Sequence, residues 1–411
     1  LKAVGYIYFV VLIFSFLKSA AQQDTTLLTK NSRDKTQGPV IDSSKQWDVI
    51  DVLKKVFDKE SPDSARNKPK KLVYSVMPAV GYSLSTGFAV DITANVAFYT
   101  NNNHKQNLSE MDVEAVYDTK IQKILISRAT IWGTDNNYKF VTDLRLEKYP
   151  VSTFGLGTGT SQAKEDPLVY SYIRTYLTAY RKIIPGFYIG LGYALDYHFN
   201  ITEAGNVDKT ISDFQKYGET SSSTSSGATI NLLFDNRRNP INPLNGGYAS
   251  ILYRDNPTLL GSDNNWSELQ FDFRRYFRLS PRSNNILAFW TVWEFTTGHA
   301  PYPDLPSTAS DMYNNGGRGY AEQRFRGKDM LYLEGEFRFG ITKNGLLGGV
   351  LFSNAQSYSE FQTNRFQKVA PAVGTGLRVK VNKHSDTNVC IDYAAGLYGS
   401  RGVFVNLGEV F

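Results

Sequence analysis

The chain has 411 residues, a formal net charge of +6, 14% aromatic residues and a single cysteine, Cys390. Acids and bases are interspersed with no Lys/Arg block, which gives nucleic-acid binding no support, and one cysteine excludes an internal disulfide. No long apolar run follows the first twenty residues, which excludes a helical membrane protein.

Lys2 precedes an apolar stretch from Tyr6 to Leu17, followed by Ser19-Ala20-Ala21, a small-x-small cleavage pattern. This reads as a secretory signal peptide over residues 1–21, with Gln22 starting the mature chain. Residues 22–71 form a polar periplasmic extension of flexible composition. Within it, Val49, Ile50, Leu53, Val56 and Phe57 share one face of a predicted amphipathic helix over 46–59. Ser43 or Ser44 could cap its start. Packing against the rim of a barrel and service as a plug or docking helix both remain open for it.

From residue 72 onward the pattern changes to period two. Phe187, Ile189, Leu191, Tyr193, Leu195, Tyr197 and Phe199 alternate with Tyr188, Gly190, Gly192, Ala194, Asp196 and His198. One greasy face and one wet face suit a strand between lipid and a polar lumen. Such strands are predicted at 72–83, 87–99, 111–118, 121–132, 138–148, 170–182, 187–199, 225–235, 247–254, 266–279, 285–297, 331–342, 346–357, 369–382, 388–397 and 402–411. That makes about 16, an even number, which puts both ends of the sheet on the periplasmic side of an all-β, antiparallel, transmembrane β-barrel over 72–411. Three long gaps, at 149–169, 200–224 and 298–330, all follow odd strands, where extracellular loops belong. Residues 100–110 break that trend.

Chemistry-bearing residues are few. The histidines His104, His198, His299 and His384 form no motif with a serine or acid, so catalysis is not expected. His198 and Asp196 read as a solvated lumenal pair. No metal-ligand spacing and no cofactor motif occurs.

The connection before the twelfth predicted strand carries Gly316-Gly317-Arg318-Gly319-Tyr320, and the strand itself carries Glu334-Gly335-Glu336-Phe337-Arg338. An arginine inside a barrel needs a carboxylate partner, and alternation puts Glu334, Glu336 and Arg338 on the lumenal face. These residues resemble the signature of the BamA/TamA superfamily of outer-membrane insertases and translocases, also called the bacterial surface-antigen family. The resemblance implies that Arg318, Gly319 and Tyr320 form the tip of a sixth extracellular loop folded back into the lumen. It further implies that Glu336 is one acidic partner of that arginine. The family's second acid, an Asp on the next strand, is Asn354 here, so the clamp falls to Glu336 with help from Asp392.

Other stretches are similar to the family in the same order: Tyr149-Pro150 with Phe154-Gly155-Leu156-Gly157, then Phe234-Asp235-Asn236-Arg237 with Pro240, Pro243 and Gly246-Gly247. The stretch from Phe404 through Leu407 and Gly408 to Phe411 resembles the signal read by the barrel assembly machinery. About 50 residues of disordered composition precede the barrel, too few for the family's periplasmic POTRA domains, so a barrel-only member is expected.

In insertase members the first and last strands part sideways. Pro78 and Gly81 weaken the first strand here, and Gly402 and Gly408 the last, which makes a weak lateral seam reasonable; equally, they could only shape a stable barrel. The expectation is a bacterial outer-membrane protein that assists insertion or translocation of proteins or lipids. Its partners would be outer-membrane lipids, the assembly machinery and client or partner outer-membrane proteins. The alternative is a passive channel or scaffold plugged by its sixth loop.

Overall fold

The computed structural model describes residues 46–49, 51–52 and 72–411, apart from 84–86, 101–105, 108, 119–121, 219, 238, 281–282 and 384–385. The expected signal peptide, most of the extension and residues 53–59 of the expected helix lie outside the described residues.

Sixteen strands follow one another. They are β1 (Leu72–Ser83), β2 (Gly87–Phe98), β3 (Ser109–Asp118), β4 (Lys123–Trp132), β5 (Tyr138–Thr153), β6 (Asp166–Ile184), β7 (Phe187–Glu203) and β8 (Ser222–Asp235). Then come β9 (Gly246–Asn256), β10 (Trp266–Arg278), β11 (Ile286–Gly298), β12 (Asp329–Gly340), β13 (Leu347–Tyr358), β14 (Ala370–Asn382), β15 (Thr387–Gly396) and β16 (Arg401–Leu407). One short helix, α1 (Asp213–Gly218), sits between β7 and β8.

Each strand pairs antiparallel with its neighbour in sequence, so sheet order and chain order coincide. Among the described residues no ladder joins β16 to β1. Of the expected barrel, the described residues form a 16-stranded antiparallel sheet that no ladder closes.

Alternation decides the faces. In β7 the residues Ile189, Leu191 and Tyr193 are exposed on the outer face, while Tyr188, Ala194, Asp196 and His198 are buried on the inner one. In β12 Leu333 points out and Glu334, Glu336 and Arg338 point in. Asn200, at φ 53°, inserts a bulge opposite the shift between Val169 and Ser171. Beyond it the phase of β7 inverts, and Ile201 turns inward.

Several strands outrun their predicted lengths. β5, β6 and β8 continue past the greasy belt, because backbone pairing does not stop where apolar outer residues give way to polar ones. Wall height is uneven as a result, from 19 residues in β6 to 10 in β15 and 7 in β16. β16 ends at Leu407, four positions short of the expected 411.

The connection 299–328, hereafter the lid, bonds to β5 through Arg145 Nη2 to Met312 O (2.8 Å) and Tyr149 Oη to Glu322 (2.6 Å). The same loop bonds to β12, β13 and β15 through Arg318. Strands far apart in the ladder thus surround one loop, and the sheet must curl to bring them there.

Long connections (154–165, 204–221, 299–328 and 359–369) lie at one end and short turns (185–186, 341–346 and 383–386) at the other. Residues 46–52 sit at the short-turn end, where Trp47 N donates to Asn344 O (3.0 Å) and Lys383 Nζ meets Asp51 (2.6 Å). Asp48 and Asp51 accept each other's backbone N–H, at 3.0 and 3.2 Å. This reciprocal capping starts the helical turn at Asp48; Ser43 and Ser44, the expected caps, lie outside the described residues. The connection 99–108 also belongs to this end: Gln106 Nε2 folds back onto Trp132 O (3.1 Å) and Gly133 O (2.9 Å).

Candidate functional site

Arg318 enters the interior at the tip of the lid and is 1% exposed. Gly317 and Gly319 flank it at φ +81° and +105°, a region that side chains rarely adopt. A Cβ on Gly319 would stand 2.7 Å from that of Ala372. Only glycine lets the backbone approach the wall closely enough to deliver the guanidinium.

Three carboxylates receive it. Arg318 Nη2 donates to Glu334 and to Glu336, and Nη1 donates to Asp392. All three acids are fully buried, so the group is a desolvated, hydrogen-bonded charge cluster and not a surface pair. The guanidinium also lies over the ring of Phe352, 3.6 Å from its centroid. Asn354 Nδ2 donates to the Arg318 carbonyl (2.9 Å), so it positions the backbone of the tip and leaves the guanidinium to the acids. Tyr320 is buried, donating to Pro371 O (2.6 Å) and accepting from Leu397 N (2.9 Å).

Sequence reasoning placed Glu334 on the inner face but did not count it as a partner. Its spacing of two from Glu336 is the signal that could have found it. Phe352 lies in the stretch quoted for Asn354, yet carried no signal of its own.

The cluster continues downward. Glu336 also accepts from Arg338 Nε (2.6 Å), and Asp392 from Arg378 Nη1 (2.5 Å). Both arginines reach Glu409, Arg378 Nε at 2.9 Å and Arg338 Nε at 3.6 Å. Glu409 lies past β16. Gly408, at φ +91°, turns the chain inward there, and Val410 and Phe411 bury themselves against Tyr276 and Trp290.

The candidate assembly signal is therefore split. Phe404 lies on the inner face against Phe352 and Ala394, while Val403, Val405 and Leu407 are the exposed outer residues. Gly408 and Phe411 belong to an inward hook (residues 408–411) instead of the strand. Among the seam candidates, Pro78 and Gly81 sit in β1 opposite Ile92 and Ala89, and Gly402 sits in β16 opposite Ala394. Gly408 is outside the edge strand altogether.

The connections at the long-connection end are knitted to one another. Phe154-Gly155-Leu156-Gly157 threads between the lid and α1: Leu156 N donates to Asp213 (2.9 Å), and Gly157 N to Arg326 O (2.6 Å). Thr158 Oγ1 accepts from Tyr358 N (2.6 Å), and Arg324 Nη2 donates to Thr160 O (2.6 Å). Arg326 is buried under three lid carbonyls, those of Tyr302, Pro303 and Leu305.

A second charge cluster occupies the opposite inner wall. Asp196 is held by Arg254 (2.6 Å), Arg174 (3.3 Å), Tyr172 and Tyr176 (2.7 Å). Asp196 and His198 are both buried, not a solvated pair. His198 stacks on Tyr172 and lies 3.5 Å from Asp304 of the lid, whose other oxygen accepts from Ser225 Oγ at 2.5 Å. Burial, then the charge of Asp196, pushes the Asp304 carboxyl up to about 7.

No family model and no curated protein matches the sequence. Solved structures do. The chain is similar to a BamA from Haemophilus ducreyi lacking POTRA domains 1–3, at 15% identity over 81% of this chain and 69% of that one, with a TM-score of 0.50. It is also similar to CdiB from Escherichia coli, at 10% identity over 83% of this chain and 63% of that one, with a TM-score of 0.53. CdiB from Acinetobacter baumannii gives 11% identity, 83% and 60% coverage, and a TM-score of 0.51. This chain has the fold of BamA and CdiB. It spans about three-fifths of the length of each CdiB chain.

Proposed function

We propose that this chain is an outer-membrane β-barrel of the BamA/TamA insertase and translocase superfamily, which assists insertion or translocation of proteins or lipids. In this reading residues 72–411 are the barrel and the preceding segment is a periplasmic extension that follows a signal peptide. The barrel relies on the assembly machinery for its own insertion, contacts outer-membrane lipids, and meets client or partner outer-membrane proteins from the bilayer side.

One observation carries the reading. The arginine of the lid is clamped to β12 and β15, beside a 7-residue edge strand that no ladder bonds to β1 among the described residues. Among the described residues β16 is held by a ladder on its β15 side alone, so the backbone groups of its other side are left for another strand to pair with. An exposed strand edge is a template for another strand, which is the physical content of lateral insertion.

The experiment locks that edge. Cysteine pairs placed between residues 74–80 of β1 and 403–407 of β16, in a Cys390→Ser background, are oxidised in proteoliposomes of outer-membrane lipid. Folding of an added, denatured outer-membrane barrel is followed by heat-modifiable mobility. Loss of assisted folding on oxidation, with recovery on reduction, supports the proposal; equal rates in both states defeat it.

A second reading is a channel or scaffold that the lid plugs. It is favoured by the knitted outer end and by a lid that bonds to β5, β12, β13 and β15. Assisted folding that survives locking of the seam, with a small wild-type conductance that rises when residues 311–323 are deleted, would favour it over the seam.

A further inference from the structure

We propose that the lid and the hook after β16 form one coupled device, in which the clamped lid holds the end of the edge strand folded inward and a withdrawn lid releases it. The inference rests on the seam reading for its purpose, but its geometry and its test do not involve a client.

Three buried routes join the two parts. On the first, Asp392 accepts from Arg318 of the lid and, on both of its oxygens, from Arg378 of β14, and Arg378 passes on to Glu409 at 2.9 Å. On the second, the two oxygens of Glu336 are divided between Arg318 and Arg338, and Arg338 Nη2 donates to Phe411 O at 3.0 Å. The third is aromatic. Gly317 N donates to Tyr332 Oη (3.1 Å), Tyr332 meets Trp290 at 5.1 Å, and Trp290 meets Phe411 at 5.3 Å. A direct bond closes the set, from Asn315 Nδ2 of the lid to Val410 O at 2.8 Å.

The sign of the coupling follows from charge. Three guanidiniums, of Arg318, Arg338 and Arg378, serve four carboxylates, of Glu334, Glu336, Asp392 and Glu409. All seven side chains are buried, where an unpaired charge is costly. If Arg318 leaves, Asp392 and Glu336 keep Arg378 and Arg338 as their remaining cations and draw them away from Glu409. The hook then loses its main anchor, together with the bond from Asn315.

What the hook gives up is backbone pairing. Gly408 N now donates to Asn388 O (2.8 Å) and Glu409 N to Ile241 O (3.1 Å). Ile241 belongs to the turn between β8 and β9, which reaches across to this point. The bond to Asn388 is one step past the last β15–β16 pair, Val389 with Leu407, so it stays; released from Ile241, residues 409–411 can continue the line of β16 and lengthen the edge that it presents. Access to the edge becomes conditional on the position of the lid.

Linkage makes the test reciprocal: a perturbation at either end must appear at the other. The full chain is placed in lipid nanodiscs and its backbone amide exchange is followed. Arg318→Ala should raise exchange over residues 404–411 by about tenfold, although Arg318 touches none of them. Glu409→Gln should raise exchange over residues 311–323 similarly, and Asn315→Ala should raise it at both ends. Peptides from β6 and β7 serve as controls. If Arg318→Ala does not give a heat-modifiable barrel, the Glu409→Gln arm decides, because Asn315 touches the hook directly. Exchange that rises only beside each substitution overturns the coupling. That result would leave the seam-locking experiment untouched, so the two ideas fail separately.

Discussion

Asp392 accepts from Arg318 of the lid on one carboxylate oxygen and from Arg378 of the neighbouring strand on both, at 2.5 and 3.4 Å. A single acid thus ties a loop to a wall and the wall to itself. The arrangement sets what removal of each partner should do.

Arg318→Ala leaves three buried carboxylates without their shared cation. Breaking a buried pair from one side costs about 3–5 kcal/mol. The heat-modifiable fraction should fall and its melting midpoint should drop. Arg318→Lys should recover little, because one ammonium cannot fork toward both β12 and β15. Combining Arg318→Ala with Glu336→Ala should cost less than the sum of the two; additive losses would show that they act independently.

Gly319→Ala should unseat the tip by strain and by collision at once. The backbone at φ +105° resists a side chain, at about 1–3 kcal/mol, and the new methyl meets Ala372. Adding Ala372→Gly removes the collision but not the strain, so it should restore only part of the lid's resistance to limited proteolysis. Full restoration would assign the whole effect to packing.

Gly157→Ser tests the knitted end. A side chain there would run into the Glu360 carboxylate, and the backbone sits at φ +97°. Cleavage by added protease should appear in 154–165 and 359–369, while the Arg318 cluster stays intact. Unchanged cleavage would mean that these connections hold without the glycine.

The Asp304 carboxyl titrates near 7 when folded, against about 3.9 in an unfolded chain. The folded state therefore holds the extra proton across that window, and its stability falls as pH rises from about 4 to about 7, then levels. His198, Ser225, Asp196, Arg174 and Arg254 surround the group and fix this environment. Wild-type melting midpoints should decline between pH 5 and pH 8 more steeply than those of Asp304→Asn. Parallel profiles would remove Asp304 as the source.

Deleting residues 311–323 should open the interior. Planar-bilayer conductance of the wild type should be small and that of the deletion severalfold larger. Equal conductance would mean that the lid does not block the path.

Much of this was legible in the sequence, because alternation is a local signal and a long antiparallel meander needs little else. The inward glutamates of β12 could be read from period two, whereas the inward arginine before them came from the resemblance to the BamA/TamA signature. The hook could not. Aromatic residues drew attention to Phe404 and Phe411, whereas the outer phase is carried by Val403, Val405 and Leu407, and Gly408 ends it. The meeting of His198 with Asp304 depends on how the lid folds, which no spacing encodes. Strand ends in β5 and β6 ran past the greasy residues because ladder hydrogen bonds are indifferent to side-chain polarity.

Uneven wall height has a consequence for the surrounding bilayer. At about 3.4 Å per residue, β6 can extend roughly 65 Å and β16 only about 24 Å, before any tilt. A hydrocarbon layer about 30 Å thick is overspanned on one flank and undershot on the other. In the proposed outer-membrane setting, lipid beside Val403, Val405 and Leu407 would have to compress to cover so low a shelf, making acyl-chain length a control on that flank alone.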